Sequence, residues 1–110
     1  MEWFTWPAVP AWMGATATDQ ASWDVACAHL RQIPPGFGRW ISVEPLLAPI
    51  VIGDWVPDWV VVGLLSPRPV LYSREWAHLL ADALRARGVP VYGKTSVPEI
   101  GREWPRGVGA

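Results

Sequence analysis

Apolar and polar positions change period several times along this chain, and each change predicts an element. Trp12–Ala17 (WMGATA) has modest β propensity and leads into polar residues, which reads as a first strand. Beyond it, Trp23, Ala26, Cys27 and Leu30 recur at i, i+3, i+4 and i+7, the spacing of one helical face. Asp24, Ala28 and Arg31 fall off that stripe. Asp19 or Ser22 can cap the helix, and Pro34-Pro35-Gly36 stops it. Arg39–Glu44 returns to a strand pattern and is ended by Pro45. Leu46–Ile52 is apolar but interrupted by Pro49, too short for a full crossover helix, so a compact loop or a short helical turn is expected. Trp59–Gly63 is the clearest strand, a continuous β-branched run of the kind found where both faces of a sheet are covered.

After a Ser66–Pro69 loop, Ser73 is placed to cap a second helix, with Glu75 at its positive end. Its apolar stripe reads Trp76, Leu79, Leu80, Ala83 and Leu84, and Gly88 suits the position just past its end. Val89–Lys94 is a last strand, with Pro90 tolerated only near its start or at an edge. Residues 1–10 are aromatic and proline-broken, an irregular lead-in, and residues 99–110 are expected to form a loose tail.

The order is thus β-α-β-loop-β-α-β, which predicts an α/β domain over residues 1–98: about four parallel strands with two main helices. With 110 residues it falls far short of the roughly 250 that a complete eight-stranded β/α barrel needs. Half of a TIM-type barrel or an open parallel sheet remains. An apolar content of 51% with 17% charged residues fits a folded chain.

A net charge of −1 offers no electrostatic footprint for nucleic acid or an anionic membrane. No apolar run reaches the length of a membrane span and no signal-peptide pattern is visible, so a cytoplasmic protein is expected. Eight arginines against one lysine, with many Ala, Gly, Pro and Trp, fit a GC-rich bacterial or phage genome. Nine tryptophans exceed what a core of this size uses, so some are expected at surfaces or interfaces. Trp3, Trp6 and Trp104, in irregular segments, are candidates for an interface or for packing back onto the domain.

In parallel α/β folds ligands bind outside the carboxyl ends of the strands. The polar residues there are Thr16, Thr18, Ser42, Glu44, Ser66 and Lys94, the candidate substrate- or cofactor-facing set. Glu44 has the chemistry to hold a cofactor amine or act as a base; the plainer reading is a carboxylate that caps a loop or pairs with a cation. Lys94, the only lysine, suits a carboxylate, a phosphate or a Schiff base; the plainer reading is a surface lysine or a partner for Glu44. In barrel order these two residues follow alternate strands, which lets them meet. His29 and His78 are read as solvated helix residues and Cys27 as a buried structural thiol. Phosphate-loop, dinucleotide, nucleophile-elbow and HExxH signatures are all missing from the sequence.

Four segments carry a resemblance: WMGATATDQ, RWISVEPLLAPI, PDWVVVGLLSP and SREWAHLLADALRARGVPVYGKTSV. In this order, over roughly residues 6–98, they resemble the C-terminal half of a phage-associated family of radical-SAM-like proteins, with SVEPLL the most specific piece. The resemblance implies a barrel preceded by a three-cysteine motif that holds an iron–sulfur cluster and S-adenosylmethionine. By residue match it carries over to Glu44, Lys94, Thr16, Thr18 and Gln20.

The chain departs from that pattern at Leu64-Leu65-Ser66-Pro67, where the family has a loop containing Gly with Glu or Thr, and it has one cysteine where three are needed. The expectation is therefore a truncated or split barrel half, inactive alone. Cluster and S-adenosylmethionine would come only with a partner chain, or the sheet edges would drive self-association. The alternative is a non-catalytic phage or prophage accessory domain that binds a protein.

Overall fold

The computed structural model describes residues 11–34 and 36–105. Its elements run β1 (Trp12–Ala17), α1 (Gln20–Leu30), β2 (Gly38–Val43), β3 (Trp59–Val62), α2 (Ser73–Ala86), β4 (Val91–Gly93) and a 3-10 turn at Pro98–Ile100. The strands form one sheet in the order β1-β2-β3-β4, and each neighbouring pair is parallel. The α/β class and the four parallel strands read from the sequence are those of the structure. The lead-in with Trp3 and Trp6, and the last five residues of the tail, lie outside the described residues.

Both helices pack on the same face of the sheet. Ile41, Val43, Val60, Val62 and Val91 point into one apolar cluster with Trp23, Ala26 and Leu30 of α1 and Ala77, Leu80, Ala81 and Leu84 of α2. Residues of the opposite parity stay out of that cluster. Val61, although buried, is not part of it, and Trp59 contacts both Trp40 and Tyr92 instead. Sequential strand order with the helices on one side is compatible both with an open parallel sheet and with a segment of a β/α barrel, in which the helix-free face would be the inner one.

Local chemistry sets the helix starts. Asp19 caps α1: its carboxylate accepts from the Ser22 N–H at 3.0 Å, and Ser22 Oγ accepts from the Asp19 N–H at 3.1 Å. Those hydrogen bonds, the backbone one first, hold the Asp19 carboxyl below its ordinary range. At α2 the expected Ser73 cap is not formed. Tyr72 takes the cap position with φ of 68° and offers no side-chain hydrogen bond, while Ser73 is the first helical residue and is buried.

The buried stripe of α2 is also rotated from the expected one. Ser73, Ala77, Leu80, Ala81 and Leu84 are buried, whereas Leu79 is 68% exposed. Small residues let the helix sit close to the sheet, and a stripe chosen for large apolar side chains misses them.

The connection from β2 to β3 contains no helix. Its Leu46 and Ile50 enter the core, and two side chains clamp its backbone. Gln20 accepts from the Val51 N–H at 2.7 Å and donates to the Val51 carbonyl at 3.0 Å. Arg87 donates to the carbonyls of Gly53 and Asp54 at 2.9 and 2.5 Å. At the amino-terminal end of the sheet, Asp58 accepts from both the backbone N–H and Nε of Arg39, at 2.9 and 3.2 Å.

Residues 99–105 correct the expectation of a loose tail. After the 3-10 turn the chain runs antiparallel beside β4, with Arg102 bridged to Tyr92. The Gly93 N–H donates to the Gly101 carbonyl at 2.7 Å, and the Glu103 N–H donates to Val91 at 3.0 Å. Arg85 fastens the strap through Glu103 at 2.8 Å and the Ile100 carbonyl at 2.6 Å. Trp104 stacks on Trp59, centroids 5.8 Å apart, while 63% of it stays exposed. The strap covers the free edge of β4, leaving β1 as the open edge among the described residues.

Candidate functional site

Strand register builds the helix-free face in rows. Thr16, Ser42, Val61 and Tyr92 are paired in sequence from β1 to β4. The row toward the amino-terminal ends holds Gly14, Trp40 and Trp59. One step past the last paired row, Val43–Val62–Gly93, come Glu44, Gly63 and Lys94 at the carboxyl-end rim. The face is therefore aromatic below and polar above.

Glycines make room on this face for large neighbours laid across them. A Cβ at Gly14 would stand 2.5 Å from Trp40 Nε1, and one at Gly63 would stand 2.9 Å from Glu44 Oε2 and 3.0 Å from its Cγ and Cδ. The Glu44 side chain thus crosses over Gly63 and meets Lys94, whose Nζ donates to Oε1 at 2.6 Å. Backbone bonds steady the rim: Lys94 N–H to Val62 O, Gly63 N–H to Val43 O and Leu46 N–H to Gly63 O, at 2.9, 2.9 and 3.0 Å. Both charged side chains keep solvent contact, 38% for Glu44 and 45% for Lys94. The pair is therefore an available binding element and only a modest source of stability.

Beside the pair opens a cleft of about 350 Å³, lined by Glu44, Leu64, Ser66, Tyr92, Lys94, Thr95, Ser96 and Arg102. Ser96 Oγ accepts from the Leu64 N–H at 2.8 Å and so anchors the Leu64–Pro67 loop to the cleft wall. The Arg102 guanidinium lies 5.6 Å from the Tyr92 ring centre.

Of the six candidates, Glu44, Ser66 and Lys94 come together in this cleft. Thr16 and Ser42 are neighbours in the next row down, away from it. Thr18 serves the backbone: its N–H donates to Ser22 Oγ at 2.8 Å and its carbonyl accepts from Leu47 at 2.9 Å. Gln20 clamps the β2–β3 connection from the helix side. Sequence reasoning missed Gly63, Tyr92, Thr95, Ser96 and Arg102 as site residues. Tyr92 was accessible through its two-residue spacing from Lys94. Arg102 carried no signal, because its position depends on the strap folding back.

The donors of this chain do not fit an iron–sulfur cluster. Cys27 is its only cysteine and lies half-buried on α1. Burial, with a smaller contribution from Asp24, pushes its thiol up to about 11, away from the thiolate a metal needs. Among the described residues no group of three or more His, Cys, Asp or Glu side chains could hold a metal ion, and none of their helices is long and apolar enough to cross a membrane.

No curated protein and no solved structure matches the chain. The family described as protein of unknown function DUF5131 matches residues 1–97. That stretch takes in all four strands, both helices and the Glu44–Lys94 pair, and it stops short of Arg102. The chain belongs to this family, DUF5131.

Proposed function

We propose that this domain supplies one wall of a binding site that another polypeptide completes, with Glu44 and Lys94 facing the bound cofactor or substrate. One observation carries the reading. Four parallel strands in sequential order, with both helices on one face, present an inner-type face whose carboxyl-end rim holds a solvent-accessible acid–base pair. The edge of β1, which no other strand pairs among the described residues, gives the sheet a place to continue.

The resemblance to radical-SAM-like phage proteins extends the reading. A chain bearing a CxxxCxxC-type motif supplies the iron–sulfur cluster and S-adenosylmethionine, and this domain is inactive alone. Light scattering after size exclusion is the first test. A defined dimer supports pairing of two copies, and a monomer directs completion to a separate chain. Co-purification with a cysteine-motif polypeptide encoded nearby then decides, and a monomer that binds no such chain overturns the reading.

A second reading, a non-catalytic accessory domain that binds a protein, draws support from the Leu64–Pro67 loop, where Leu65 is exposed. Under it, Glu44→Gln and Lys94→Gln leave partner binding unchanged.

A further inference from the structure

We propose that the cleft beside the Glu44–Lys94 pair binds an oxyanion, the phosphate or carboxylate group of a small molecule, between Lys94 and Arg102. The proposal names a ligand class for the site described above and rests on that reading for the site's place in the fold, but it needs no partner chain.

Two cations and one carboxylate line the cleft, an excess of one positive charge. Glu44 engages Lys94, while Arg102 forms no ion pair among the described residues and lies against the Tyr92 ring. Arg102 is bridged to Tyr92, and Lys94 lies two residues further along the chain, just past the end of β4. Their backbones are thus diagonal neighbours, about 7–8 Å apart, which long side chains span easily. Ser66, Thr95 and Ser96 add hydroxyl donors to the rim. The Ser96 hydroxyl accepts from Leu64 and keeps its own proton to donate. Guanidinium, ammonium and hydroxyls converging on one cleft are the donor set that phosphate and carboxylate oxygens require.

Glu44 is an internal competitor in this arrangement, since its carboxylate occupies Lys94 as an anion would. The charges therefore make opposite predictions for two variants. Titration of the full chain with inorganic phosphate, acetate and chloride at constant ionic strength, followed by 15N chemical shifts, tests the proposal. Saturable shifts confined to residues 94–96 and 102 are expected with phosphate or acetate but not with chloride, and the better of the two identifies the group.

Arg102→Gln should weaken binding about tenfold, the loss of one charge-assisted hydrogen bond. Arg102→Lys should restore part of that loss, and Glu44→Gln should tighten binding by freeing Lys94. Arg102 is exposed, so its variants keep the fold, which the dispersion of the same spectra verifies. Absence of saturable shifts with both oxyanions overturns the proposal, as does an Arg102→Gln variant that binds as tightly as the parent. Neither result touches the oligomer and co-purification tests above, so the two readings fail separately.

Discussion

Gly63→Ala isolates the Glu44–Lys94 geometry from the rest of the fold. The added Cβ would stand 2.9 Å from Glu44 Oε2 and 3.0 Å from its Cγ and Cδ, all atoms of a movable side chain. The carboxylate must swing away, and the 2.6 Å contact with Lys94 is lost. With the two side chains 38% and 45% exposed, solvent screening limits that loss to about 0–1 kcal/mol. Gly63 has no left-handed φ, so alanine also removes unfolded-state freedom and contributes about 0.4–1 kcal/mol in the other direction. The two terms offset, and the net change in stability should lie within about 1 kcal/mol of zero. Urea unfolding followed by tryptophan fluorescence measures it. Lys94 is the only lysine, so its side-chain Hε–Cε signal reports the pair without ambiguity. That signal should move to the position seen in Glu44→Gln. A destabilisation above about 2 kcal/mol would mean that something less movable than a carboxylate fills the space over Gly63. An unmoved Lys94 signal would mean that the pair does not depend on Gly63.

Other perturbations test the surrounding frame. Trp23 is 1% exposed in the core, so Trp23→Ala should cost about 3–5 kcal/mol and leave little folded protein, read by urea unfolding. Cys27, with its thiol raised to about 11, should react with iodoacetamide at pH 8 roughly 100-fold more slowly than an unperturbed thiol, the ratio of the two thiolate fractions. A rate near that of the unfolded chain would refute its burial. Glu99 is held down to about 2, chiefly by its hydrogen bond from Arg74. Its folded value lies below its unfolded one, so its contribution is present above about pH 4.5 and is lost as pH falls toward 2. The pair is exposed, so the effect is small, about 0.2–1 kcal/mol. Thermal unfolding of the parent and Glu99→Gln should therefore converge as the pH is lowered through that range.

Much of the fold is legible in local sequence because the responsible interactions are local. The Asp19–Ser22 cap needs residues three apart, the Trp23–Leu30 stripe needs about two helical turns, and the WVVV run of β3 needs one strand. The α2 stripe was misread because burial there follows Ala77 and Ala81, small residues whose value appears only when a sheet lies beneath them. The Ser73 cap failed for a related reason. Close packing buries that side chain, and Tyr72 turns the backbone instead.

The sequence by itself determined the alternation of strands and helices, the polar residues at the strand ends, and the singular glutamate and lysine among them. Each of these is a property of residue type and period. Only the tertiary structure decided which of those polar residues meet. Strand register places Gly63 between Glu44 and Lys94, and the missing Cβ lets one side chain reach the other across β3. The same holds for the strap. Nothing within residues 101–104 specifies an edge to lie on, but β4 offers unpaired backbone groups and Arg85 a cation for Glu103. Contacts between segments far apart in the chain satisfy those groups, and so Arg102 arrives at the cleft.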